Sequence, residues 1–128
     1  MRLLLDTHLL LWVISQSRRL SPRARDLIGD PENELLFSVA SLWEIAIKHG
    51  QRRVDFQVDP RLLRRTLLND DYTELAVTGE HAVAVANLPP LHKDPFDRMI
   101  VAQSIVEGIT LLTADPLMAQ YPAPVRRV

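Results

Sequence analysis

What most constrains this chain is the alternation of short apolar runs with helical segments. Arg2-Leu3-Leu4-Leu5, Glu34-Leu35-Leu36-Phe37, Tyr72 to Val77 and Ile109 to Thr113 are too short for buried helices and read as strands. Val125 to Val128 is a candidate terminal edge strand. Between them lie helix signals. Leu9 to Ile14 continues from the first strand as a helix, and Ser21-Pro22 opens another that Gly29-Asp30-Pro31 ends. Ser38 or Ser41 caps a long amphipathic helix through Trp43, Glu44, Ile45, Ile47 and Lys48, stopped at Gly50. Asp59-Pro60 starts a helix carrying Leu62, Leu63, Leu67 and Leu68, and Thr78 or Gly79 begins a small one. Strands of this kind separated by helices predict an α/β fold with a three-layer arrangement, a parallel β-sheet flanked by helices on both faces. At 128 residues the chain has room for one domain, residues 1–128.

The segment Lys93-Asp94-Pro95-Phe96-Asp97-Arg98 reads as the first turn of a further helix. Asp94 sits at the N-cap, Pro95 at the first helical position and Asp97 at the third. Phe96, Ile100, Val101, Ser104 and Ile105 then recur at helical spacing, and Gly108 ends the helix. In parallel α/β sheets ligands bind beyond the carboxyl ends of the strands. Asp6 follows the first strand, Asp115 follows the fourth, Glu44 lies early in the helix after the second, and Asp94 and Asp97 open the helix before the fourth. Each acid has a local reading too: Asp6 and Asp115 as N-caps, Asp94 as the helix cap, and Ser41-Leu42-Trp43-Glu44 as a capping box. Local readings do not explain why one end of the sheet collects them all. Several carboxylates facing one crevice repel one another unless a cation or protons intervene, and an oxygen-only set suits Mg²⁺ or Mn²⁺.

Other chemistries are poorly supported. There is no cysteine, hence no thiolate zinc site and no cysteine nucleophile. His8, His49, His81 and His92 are scattered without the spacing of a zinc hydrolase. Asp6 and His8 interrupt the apolar N-terminus, so neither a signal-peptide core nor a membrane span is expected, and a cytoplasmic location is the default. The formal net charge is −1, but neutralising the five acids leaves a positive remainder whose basic groups are almost all arginine. Arg61, Arg64 and Arg65 are read as the solvated face of a helix, and Trp12 and Trp43, among apolar neighbours, as core.

Four fragments in order resemble one family. They are Leu5-Asp6-Thr7-His8 with Leu10, Leu11 and Trp12; Ser38, Ser41 and Trp43-Glu44-Ile45 with Lys48; His92-Lys93-Asp94-Pro95-Phe96-Asp97-Arg98 with Ala102-Gln103; and Leu112-Thr113-Ala114-Asp115. The pattern resembles the PIN-domain nucleases, and among them the VapC-like toxins of bacterial toxin–antitoxin pairs. The resemblance implies a PIN-like fold and a metal-dependent endoribonuclease that uses one or two Mg²⁺ or Mn²⁺ ions and leaves 5′-phosphate and 3′-hydroxyl ends. It implies Asp6, Glu44, Asp97 and Asp115 as the acidic quartet, with Asp94 either an auxiliary acid or only a cap. Thr7 and Thr113 are candidates to hold carboxylates or waters, and Arg98 and Lys48 candidates to touch phosphate or to pair with a carboxylate. An RNA substrate, a VapB-like antitoxin lying across the acidic crevice or the adjoining groove, and a homodimer are the implied partners. Two other readings stand beside it: a non-catalytic partner-binding module on the same fold, and a receiver-like phosphoacceptor domain. The receiver would need an acidic pair after the first strand and a late lysine, where this chain has Asp6-Thr7 and Asp115.

Overall fold

The computed structural model describes residues 1–128. Five strands, β1 (Arg2–Leu5), β2 (Glu34–Ser38), β3 (Thr73–Leu75), β4 (Thr110–Thr113) and β5 (Val125–Arg127), form one sheet in the order β3-β2-β1-β4-β5. Every pairing is parallel. Six helices cover it: α1 (Thr7–Ser15), α2 (Pro22–Gly29), α3 (Val39–Gly50), α4 (Pro60–Asn69), α5 (Gly79–Ala84) and α6 (Pro95–Glu107). The alternating pleat divides the core in two. Leu3, Leu5, Phe37 and Leu112 join Leu9, Leu10, Leu63 and Leu67 on one face. Leu4, Leu36 and Leu111 join Ile100, Val101 and Ile109 on the other. This is the expected three-layer α/β architecture. The strand order also removes the receiver-like reading, whose sheet runs 2-1-3-4-5.

The strand order reverses between β1 and β4, and that is where a doubly wound sheet opens a crevice. Local signals aim the helix ends at it. Asp6 caps α1 by accepting from the Leu9 amide, and Asp94 caps α6 by accepting from the Phe96 and Asp97 amides, with Pro95 in the first turn. Gly108 closes α6 in the left-handed conformation at φ 66°, where a side chain would be strained.

Two expectations about α3 are corrected. Its cap is Ser38, whose Oγ accepts from the Ala40 amide. Ser41 therefore lies inside the helix, there is no Ser41–Glu44 capping box, and Glu44 is carried into the second turn. The buried face of α3 is Ala40, Ser41, Glu44 and Ile45, so Trp43 falls on the opposite side and is 63% exposed rather than in the core. Along α4, Leu63 and Leu67 are core while Leu62 is exposed. In α6 every residue from Ile100 to Ser104 is buried, but Ile105 is exposed, because α3 and α5 pack on this helix as well as the sheet.

Candidate active site

The acids are brought to the switch point by four elements. Asp6 leaves β1 and is 4% exposed. One oxygen, Oδ1, accepts from the Leu9 amide at 2.8 Å; the other, Oδ2, accepts from the Thr113 hydroxyl at the end of β4. Thr113 thus ties β4 to β1 across the point where the sheet reverses, and its Oγ1 accepts from the Asp115 amide at 3.0 Å. Asp115 is half-buried and accepts from the Leu117 amide, an Asx-type turn that fixes its direction. Burial drives the Asp6 carboxyl above its usual range, opposed by the Thr113 and Leu9 hydrogen bonds and by His8, and reinforced by Asp115.

Glu44 projects from the buried face of α3 and is 2% exposed. Its Oε2 accepts from Lys48 Nζ one turn on, and Lys48 is steadied over the Phe56 ring at 4.8 Å. The other oxygen, Glu44 Oε1, is buried with no hydrogen-bond partner, alone among the buried side-chain polar atoms of the chain.

Asp97 completes the group from the first turn of α6. Its pKa is pushed up to about 8, first by burial and then by Asp94, Glu44, Asp6 and Asp115. That single group therefore feels all four of the other acids proposed from the sequence. The same acids do not form a closed shell: no three carboxylate or imidazole groups are positioned together to hold a metal ion. Each is instead turned towards a donor of its own, Asp6 to Thr113, Glu44 to Lys48, Asp97 to His92, and Asp94 and Asp115 to backbone amides. The donor set is all oxygen, one buried carboxylate oxygen is unpartnered, and Asp97 feels the charge of the other four acids; these features fit a hard divalent cation.

Among the remaining candidates, Lys48 is at the site as a partner of Glu44. Thr113 holds a carboxylate, as expected. Thr7 does not: its hydroxyl donates to Ser41 Oγ at 3.0 Å, joining α1 to α3 in the core. Arg98 is the larger correction. Its two terminal nitrogens donate to the carbonyls of Val85, Leu88, Pro89 and His92 and to the Tyr121 hydroxyl, so it straps the 85–92 segment to α6 instead of offering itself to phosphate or to a carboxylate. The Leu88 and His92 carbonyls accept from no backbone amide, those of Val85 and Pro89 accept from one each, and a planar guanidinium answers all four together. Arg98→Ala is expected to lower stability by about 2–4 kcal/mol, read by urea unfolding, with Arg98→Lys recovering little of it. A loss below roughly 0.5 kcal/mol would show that the strap contributes nothing.

His92 was missed by sequence reasoning. Its Nε2 lies 3.3 Å from Asp97 Oδ2 and its Nδ1 2.6 Å from the Tyr121 hydroxyl, so the imidazole links Asp97 to Tyr121. Tyr121 is far off in the chain, and no local pattern announces that contact. Gln103 was also unassigned. Buried within α6, it accepts from the Ser38 hydroxyl at 2.6 Å and donates to the Ala76 carbonyl, tying α6 to the ends of β2 and β3. Beside the acids, Val39, Trp43, Val77, Val85, Phe96 and Met99 line an apolar groove of about 500 Å³ between α3 and α6. Trp43 stands edge-on to Phe96 there, with ring centroids 5.2 Å apart.

Comparison with known proteins agrees with this geometry. Residues 3–124 match the PIN domain family. The chain is 30% identical over 125 residues to Ribonuclease VapC22 of Mycobacterium tuberculosis, covering 95% of each sequence. Its fold is similar to that of VapBC2 from Rickettsia felis bound to a DNA fragment from their promoter, with a TM-score of 0.74 at 16% identity, over 99% of this chain and 98% of that one. It is likewise similar to DNA-bound VapBC from Salmonella typhimurium, with a TM-score of 0.64 at 13% identity over 99% and 98% of the two chains. With a five-stranded parallel sheet, acids gathered where it reverses, and a family match over nearly its whole length, the chain belongs to the PIN domain family.

Proposed function

We propose that this protein is a Mg²⁺- or Mn²⁺-dependent endoribonuclease and the toxin member of a VapBC-type pair. The observation that carries the proposal is Asp97, whose proton affinity is raised first by burial and then by four other carboxylates that reach it from separate parts of the chain. A PIN domain spanning the chain and a ribonuclease relative of matching length support the same reading. Asp6, Asp97, Asp115 and Glu44 are the residues that would hold one or two ions, with Asp94 as a cap and outer acid. A bound divalent ion lowers the pKa of water and stabilises the charge that builds on the phosphoryl and leaving oxygens.

The rest is the work of the chain. Thr113 and the Leu9 amide fix the Asp6 carboxylate, His92 fixes Asp97, and Lys48 fixes one oxygen of Glu44. Such supports hold reacting groups at their working positions before substrate arrives. Glu44 Oε1 is the oxygen free to accept a hydrogen bond from the attacking water. The water oxygen forms a new bond to phosphorus while the bond to the 3′ oxygen breaks. One water proton ends on that oxygen, which leaves 5′-phosphate and 3′-hydroxyl ends.

The apolar groove beside the acids, open at Trp43, suits the apolar face of a peptide and is the seat we assign to a VapB-like antitoxin; a homodimer of the toxin accompanies it. No helix of the chain is long and apolar enough to cross a membrane. The deciding experiment is incubation of total RNA with the purified protein in Mg²⁺ or Mn²⁺, against a chelated control and Asp6→Ala. Cleavage is expected only for the wild type with metal. Intact RNA in every lane would return the protein to the class of non-catalytic partner-binding modules.

A further inference from the structure

A second hollow of about 380 Å³ opens between α1 and the single-turn helix Val54–Phe56. His8, Trp12, Arg19, Val54, Asp55 and Gln57 line it. Its position relative to the acids follows from a chain of contacts. The His8 ring lies 5.9 Å from the Phe56 ring, Phe56 lies 4.8 Å beneath Lys48 Nζ, and Lys48 pairs with Glu44. His8 also follows Asp6 by two residues, in the first turn of α1 that Asp6 caps. The His8 end of the hollow is therefore the end that these contacts link to the cluster.

Its lining has the chemistry of a base-binding surface. His8 is exposed and tilted against Trp12, with centroids 6.3 Å apart, and Trp12 rests one side on the core while remaining only half covered. Two flat rings are thus available at one wall. Arg19 and Asp55, facing the same space, form no ion pair with any other side chain, although Arg2, Lys48 and Arg64 elsewhere do. Arg52 and Arg53 stand exposed just before Val54 in the chain, which is itself 86% exposed. An apolar peptide would leave the Arg19 and Asp55 charges without use. A nucleotide uses all of it: a base stacks on rings, a carboxylate accepts from the amino and imino groups of a base edge, and arginines meet phosphate.

We propose that this hollow seats one unpaired base of the RNA beside the scissile phosphate. His8 and Trp12 stack on it, Asp55 selects bases that present donors on the Watson–Crick edge, and Arg19, with Arg52 and Arg53, holds the flanking phosphates. The proposal rests on the ribonuclease reading and goes beyond it by naming what sets the site of cutting. Guanine, which offers adjacent imino and amino donors to a carboxylate, is the favoured occupant.

His8 and Asp55 are exposed, so their substitution leaves the core untouched, and circular dichroism melts verify this. Unstructured oligonucleotides carrying each base next to the cut are cleaved by wild type, His8→Ala and Asp55→Ala. His8→Ala is expected to lower kcat/KM by about ten- to a hundredfold, the scale of one lost base–aromatic stack. Asp55→Ala is expected to level the preference among bases while cleavage continues. Wild-type efficiency and wild-type base preference in both variants would overturn the proposal. If the wild type cuts no RNA in Mg²⁺ or Mn²⁺, the ribonuclease reading has failed, and Trp12 emission in a Trp43→Phe background judges the hollow separately. Quenching by an oligonucleotide that is lost on His8→Ala would sustain a base site. An unchanged spectrum, or quenching only by an antitoxin peptide, would overturn it.

Discussion

Asp97→Asn is expected to abolish RNA cleavage while making the metal-free protein more stable at pH 8. The two effects share one cause. A carboxyl whose pKa is raised to about 8 by burial and by four neighbouring acids is stable in the fold only when a proton or a cation offsets its charge. Asparagine keeps the size and a hydrogen bond to His92 but neither repels the other acids nor binds a hard cation. Turnover should fall by at least about 10²–10³-fold, the scale of losing a principal group that stabilises developing charge. The sign of the stability effect follows from linkage. The folded-state pKa lies above the ordinary value of 3.8, so the folded protein binds this proton more tightly than the unfolded chain. The contribution is fully present below about pH 4 and is lost as the pH rises through about 8. At about 1.4 kcal/mol per pKa unit, the loss across that window is bounded at roughly 6 kcal/mol. Thermal melts in chelator should show the wild type losing more stability than Asp97→Asn between pH 5 and pH 8. At pH 8 the variant should melt at least about 5 °C higher. Overproduction of the wild type without a partner should slow growth, and the same substitution should relieve it. Parallel pH profiles for the two proteins would remove the electrostatic account. Unaltered turnover in the variant would remove Asp97 from the active site.

Divalent metal is the second lever with a large expected effect. An ion that binds ionised Asp6, Asp97 and Glu44 competes with the Asp97 proton, so its stabilisation should grow from pH 5 to pH 8. Ion at about a hundred times its Kd should add about 2.7 kcal/mol. That is a rise of roughly 10 °C in the melting temperature of a domain this size. Proton release on adding Mn²⁺ at pH 7 checks the competition independently. Asp6→Ala and Asp97→Asn should each remove most of the shift, whereas Asp30→Asn, an exposed acid in a turn remote from the cluster, should leave it intact. A metal-induced shift that is equal at both pH values, or that survives in the two site variants, would mean that cations bind elsewhere.

These two expectations depend on how the acids are arranged without metal. They converge enough to raise the Asp97 pKa, yet each turns to its own donor and no three form a ready shell. Binding would then draw the carboxylates together about the ion while Thr113, Lys48 and His92 keep their contacts, because each carboxylate has more acceptor sites than its donor fills. The apolar groove at Trp43 and the aromatic hollow at Trp12 share no lining residue, so a peptide in one and an RNA base in the other would not compete for the same walls.

The sequence by itself determined the layers, the strands and the helix starts at Asp6, Ser21, Asp59, Thr78 and Asp94, because caps, prolines and apolar spacing act within a few residues. It also placed the acids at strand and helix ends. Only the tertiary structure decided which side chains meet. Starting α3 at Ser38 instead of Ser41 put Glu44 in the interior and Trp43 outside, a rotation that two nearby serines leave open. Arg98 went to carbonyls of the 85–92 segment, Thr7 to Ser41, and His92 to Asp97 and Tyr121, none of which a local pattern encodes. The physical reason is range. Backbone preference is set by neighbours in sequence, whereas the fate of a polar side chain depends on which donors and acceptors the packed sheet leaves unsatisfied beside it.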